Sequence, residues 1–150
     1  MKVVATNRDL NFKYEVIETF SCGIVLKGTE VKSLRDGKVN LKDGFAVIKN
    51  SEVILRNVYI SHYDKGNINN VNELRDRKLL LHREEINKLV GKIKIGGYTL
   101  IPHKIGFVGQ YAKIELSLCK GKKLYDKRET EKKKEAKRKI EQAIKDGRIN

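Results

Sequence analysis

From Asp126 to Ile144 almost every residue is Lys, Arg, Glu or Ala, and the only apolar positions in helical register are Ala136, Ile140, Ala143 and Ile144. A stripe that thin buries too little area to hold a helix together in water. Any hydrophobic core must therefore come from the residues before it, and this segment reads as disordered alone and helical against a partner. Charge marks the same division. Residues 1–119 hold 20 basic and 13 acidic side chains, whereas the 31 residues 120–150 hold 13 basic and 6 acidic, so each part carries a net +7. We divide the chain there, into a folded part over 1–119 and a basic tail over 120–150.

A net charge of +14 on 150 residues repels itself unless an anionic partner is near. Phosphate polymers and acidic membranes are the candidates. No apolar run approaches the ~20 residues that a spanning helix needs, and the stretch Met1 to Asp9 meets charge too early for a signal peptide. No membrane role is expected. Cys22 and Cys119 are far apart and lack paired-ligand spacing, so they read as reduced thiols of a cytoplasmic protein. His62, His82 and His103 are equally scattered, and neither a metal nor another cofactor is expected.

The first part reads mainly as β. Tyr14 to Phe20 mixes β-branched and aromatic residues in partial alternation, and Ala46–Lys49 and Val53–Arg56 flank a short hairpin loop at Asn50-Ser51-Glu52. Further strands are expected around Lys92–Ile95, Tyr98–Ile101, Ile105–Val108 and Ala112–Leu118, with turns at Gly96-Gly97 and Gly109-Gln110. Two short helices interrupt them. Thr29 can cap one that runs to Arg35 and stops at Gly37, and His82 to Val90 forms another that Gly91 ends. Many short strands with glycine turns suggest a closed or nearly closed barrel.

Five stretches combine cations with constrained backbone: Asn7-Arg8; Gly28 to Gly37, where Lys32 and Arg35 share a helix face and Glu30 can orient one of them; Arg75 to Leu81; Lys113 on a strand; and Lys120 to Arg128. Lysine offers point charge to phosphate, and arginine a planar fork that pairs twice or stacks on a base. Tyr125 offers a stacking face for an unpaired base. Such groups suit RNA or DNA. Catalysis has less support, since no phosphate-binding glycine loop of the Gly-Lys-Ser/Thr type occurs. Glu84 and Glu85 are adjacent on a helix and point apart. The chain is not expected to be an enzyme.

Three motifs appear in order: Gly28-Thr29-Glu30-Val31-Lys32-Ser33-Leu34-Arg35; Arg77-Lys78-Leu79-Leu80-Leu81-His82 with Glu85-Ile86; and Gly121-Lys122-Lys123, then Tyr125-Asp126-Lys127-Arg128-Glu129. Together they resemble the small protein B family, the SsrA-binding partners of tmRNA, from Asn7 into the tail. The resemblance implies a six-stranded antiparallel barrel of the oligonucleotide-binding (OB-like) type, with small flanking helices and a basic tail that becomes helical on the ribosome. It implies binding to the tRNA-like domain of tmRNA and its delivery, with elongation factor Tu, to stalled ribosomes for trans-translation. The tail would then lie in the empty mRNA channel and the small-subunit decoding centre. The alternative is a general single-strand or ribosomal RNA binder. By the resemblance, Asn7, Arg8, Ser21, Glu30, Lys32, Arg35, Arg77, Lys78, Leu80 and Lys113 make or support barrel contacts to RNA. Lys120, Lys122 and Lys123 stand at the junction, and Tyr125, Asp126, Lys127 and Arg128 meet the ribosome. The family commonly has Glu-Ala-Gly where Ser21-Cys22-Gly23 stands, a proline at Glu73 and a tyrosine at Gly106.

Overall fold

The computed structural model describes residues 1–63 and 70–121. Alternation builds its largest sheet. In β2 (Tyr14–Ile24) Phe20, Cys22 and Ile24 point inward while Thr19 and Ser21 face out. In β9 (Tyr111–Gly121) Ile114, Leu116 and Leu118 point inward. The remaining strands of this sheet are β1 (Lys2–Thr6), β4 (Phe45–Lys49), β5 (Glu52–Arg56), β7 (Arg77–Leu80) and β8 (Tyr98–Val108), and β3 (Val39–Asn40) pairs separately with β6 (Tyr59–Ile60). Antiparallel pairings run β8–β4–β5–β7–β2–β9 and back to β8, closing a ring of six strands, with β1 added to β8 outside the ring. A ring leaves its members no free edge to aggregate through.

The three helices are α1 (Leu10–Lys13), α2 (Gly28–Arg35) and α3 (Arg83–Ile95). Leu34 of α2 and Leu89 of α3 join Phe20, Leu55, Leu79, Leu100, Ile105, Ile114, Leu116 and Leu118 in one buried cluster. Each such leucine contributes about 1.5–3 kcal/mol relative to an exposed position.

Several boundaries depart from expectation. α2 begins at Gly28 rather than after Thr29, because the Glu30 carboxylate accepts the Lys27 amide proton at 2.8 Å and makes Lys27 the cap. Gly91 does not end α3, and Lys92–Ile95 is helical rather than a strand. Ile86, Leu89 and Ile93 recur at helical spacing against the core, and the turn comes at Gly96, whose φ is +88°. The expected strands on either side of Pro102 are one strand, β8, since a register shift between Pro102 and Lys104 absorbs the missing N–H. The hairpin at Asn50-Ser51 forms as expected, with both residues at positive φ.

Candidate nucleic-acid interface

Register sets out a row on the outer face of the ring. Leu80 of β7 lies opposite Gly23 of β2, Gly23 opposite Lys113 of β9, Lys113 opposite Gly106 of β8, and Gly106 opposite Val3 of β1. Directly opposed residues project from the same face, and the neighbours Cys22, Ile24, Ile105 and Ile114 are all buried. With glycine on both sides, Lys113 has no side chain beside it in the row. Gly106 is demanded by close approach, because a Cβ there would collide with the Lys2 carbonyl oxygen. The next outward row holds Ser21, Glu115 and Lys104.

Two adjoining hollows share Gly23, Leu80 and Lys113. One, of about 280 Å³, extends to Ser21, His82 and Glu85. The other, of about 350 Å³, extends to Tyr111 and Ala112. Cys22 lies beneath them. Burial, with the charge of Glu85, pushes its thiol up to about 12 although Lys113 pulls the other way. Burial, reinforced by Lys104, lowers His103 from its ordinary value against the opposing pull of Glu115.

A second group of cations sits on α2. The Lys32 ammonium stands 5.3 Å from the Tyr63 ring centroid, and the Arg35 guanidinium 5.8 Å from that of Phe107. Arg35 shares a hollow with Lys2, Val4, Phe107 and Gly109. Both this hollow and the one at Tyr111 draw on the hairpin between β8 and β9.

Glu30 orients neither Lys32 nor Arg35. Its carboxylate, 3 % exposed, accepts 2.6 Å hydrogen bonds from Arg75 Nη2 and Arg77 Nε. Arg77 is 1 % exposed and donates its other nitrogens to the Val58 and Glu73 carbonyls, at 2.6 and 3.1 Å. The expected contact residue Arg77 is thus an internal strut that ties α2 to β7 and the segment before it, beyond reach of an external phosphate. Burial alone would raise the Glu30 carboxyl, but the bonds from Arg75, Lys27 and Arg77 and the charge of Arg77 hold it below its ordinary 4.5. Burial lowers Arg77 in turn.

The other expected positions are dispersed. Asn7 is anchored by its N–H to the His103 carbonyl at 2.6 Å and by its amide to that of Pro102 at 3.3 Å, with Arg8 exposed beside it. Lys78 is exposed and pairs with Glu52 at 3.1 Å. Lys120 lies at the far end of β9, opposite Glu15 and Tyr98. Of the expected positions among the described residues, Ser21, Leu80 and Lys113 are brought together in one hollow. Lys122, Lys123, Tyr125, Asp126, Lys127 and Arg128, with the expected tail helix, lie outside the described residues. Sequence reasoning missed Gly23, His82, Glu85 and Tyr111. For Tyr111 the signal was available, since period-two alternation puts it on the face of Lys113. No group of acidic, histidine and cysteine side chains among the described residues could hold a metal, and no described helix is long and apolar enough to cross a membrane.

The family model described as SmpB protein matches residues 4–146. This chain belongs to the SmpB family. Among its SmpB relatives, the SsrA-binding protein of Geobacillus thermodenitrificans is 53 % identical over 145 residues, covering 97 % of this chain and 94 % of that one. The SsrA-binding protein of Bacillus subtilis is 53 % identical over the same length, covering 97 % and 93 %. A chain solved under the heading "tmRNA-SmpB: a journey to the center of the bacterial ribosome" is 47 % identical, superposes with a TM-score of 0.69, and is matched over 83 % of this chain and 92 % of that one.

Proposed function

We propose that this chain binds the tRNA-like domain of tmRNA and brings it to stalled bacterial ribosomes for trans-translation, with no catalysis of its own. The observation that carries the reading is 53 % identity to an SsrA-binding protein over 97 % of the chain. The outer face is suited to the task. Lys113 stands clear between two glycines, Ser21 and Leu80 flank it, and Arg35 and Lys32 present further cations from α2. Phosphate contacts of this kind supply affinity and displace counterions, while the Glu30–Arg77 strut fixes where α2 holds its cations.

The six-stranded ring acts in this reading as an oligonucleotide-binding barrel. The tail, 120–150, occupies the empty mRNA channel, with Tyr125, Asp126, Lys127 and Arg128 at the decoding centre. Elongation factor Tu is engaged through the RNA, in the cytoplasm. The test is fluorescence anisotropy with a tRNA-like tmRNA transcript against an unstructured RNA of equal length at moderate ionic strength. A clear preference for the structured transcript is expected. Equal affinity for both would point to a general RNA binder instead.

A further inference from the structure

Both cations of α2 stand over rings, Lys32 over Tyr63 and Arg35 over Phe107. The second pair has a rigid base. Phe107 is 9 % exposed and belongs to the main buried cluster, so its ring is a fixed platform that does not follow its cation about. Arg35 comes directly after Leu34, which is fully buried, and its main chain is therefore fixed as well. What stays free is the long side chain, whose rotamer freedom is given up when it meets a ligand. Resting on Phe107 restricts that freedom beforehand, and such preorganisation favours binding. A guanidinium with one face on a ring still presents N–H donors along its edge, in the fork that suits phosphate oxygens.

Lys2 lies directly opposite Phe107 in the pairing of β1 with β8 and so projects from the same face. Lys2, Arg35 and Phe107 line one hollow of about 310 Å³ with Val4 and Gly109. Gly109, at φ +60°, turns the chain there without adding a side chain. None of these residues belongs to the outward row of Leu80, Gly23 and Lys113. Other cations are already neutralised: Arg56, Arg75, Arg77, Lys78 and Lys88 each pair with a carboxylate. No such pair holds Arg35 or Lys2 among the described residues. Two cations facing one hollow repel each other, and an anion between them relieves the repulsion.

We infer that Phe107 is a positioning residue for RNA binding: it holds Arg35 flat for one phosphate of the bound RNA, while Lys2 takes a neighbouring phosphate across the same hollow. The inference rests on the RNA-binding reading and deepens it.

The experiment titrates the tRNA-like transcript against the full chain and its variants at several salt concentrations, with each urea midpoint measured alongside. Arg35→Ala and Lys2→Ala should each lower the slope of log affinity against log salt by about one. Phe107→Leu, which keeps apolar packing but removes the ring, should weaken binding about 2- to 5-fold, the range of one cation–ring contact. Phe107→Tyr, which keeps the ring, should stay within about twofold of the parent. In an Arg35→Ala background Phe107→Leu should cost nothing more, as coupled partners do. An equal loss in both backgrounds would make Phe107 a packing residue alone and overturn the inference. Parent-like affinity of Phe107→Leu, or an unchanged salt slope for Lys2→Ala, would overturn it too. If Arg35→Ala binds like the parent, the seat is empty and RNA binding stands through other residues. If the parent itself ignores the transcript, both readings fall together.

Discussion

Glu30 is the residue on which most geometry converges. Cutting one partner from a buried, hydrogen-bonded ion pair leaves the other charge stranded and costs about 3–5 kcal/mol. Glu30→Ala should therefore lower unfolding free energy by that order in urea titration, and a loss under 1 kcal/mol would show that Arg75 and Arg77 find other partners. Because its folded-state pKa lies below the ordinary 4.5, the Glu30 contribution is complete above that value. It fades as pH falls through the lower folded-state value. Acid melts of the parent should show this loss, and Glu30→Gln should flatten it. Cys22 gives a second test. With its thiol at about 12 and that of Cys119 at about 11, both held there by burial, a thiol reagent at pH 8 should label neither in the native protein and both after unfolding. Prompt labelling of the native chain would mean the core opens readily. These residues also show the limit of sequence reading. Arg77 looked like one more surface cation because its partner Glu30 is 47 positions away, and nothing local announces a buried ion pair.

Elements were legible where the signal was local. The glycine turns, the β4–β5 hairpin and the alternation in β2 and β9 all follow from neighbouring residues. α3 was cut short because Gly91 reads as a stop, yet it lies exposed on a helix whose apolar face continues to Ile93. A glycine inside a helix costs roughly 0.5–1 kcal/mol relative to alanine. Since a Cβ at Gly91 would meet nothing within 4 Å, Gly91→Ala should raise stability by about that amount, read as a higher urea midpoint at unchanged slope. A drop would mean that the helix is broken there. β7 went unrecognised because it is four residues long and begins with Arg77-Lys78, which alternation alone does not distinguish from loop. For the candidate site, Ser21, Leu80 and Lys113 were named from motifs, but their meeting over Gly23 required the register of three strands.

At the scale of the whole molecule the proposed division of labour can be tested by cutting the chain. Removing everything after Lys123 should leave affinity for the isolated tRNA-like transcript largely intact, since the proposed barrel contacts all precede the cut. The same truncation should abolish tagging in a stalled-translation reaction. Equal loss of both activities would refute separate roles for the two parts. Replacing Lys113 or Arg35 by Ala in the full chain should reduce the slope of log affinity against log salt by about one, and an unchanged slope would make the residue a packing element.

β9 itself deserves a last consequence. It pairs with β2 on one side and β8 on the other, and both register shifts, at Val16/Glu18 and Pro102/Lys104, fall on its partners. The strand is therefore an unbroken ruler. Its eight steps from Lys113 to Gly121 span about 27 Å, and the tail sets out from its far end. On the proposed division of labour, RNA gripped near Lys113 and a partner met by the segment after Gly121 are held apart by a girder that cannot stretch, so the strand's length becomes a dimension of the assembly.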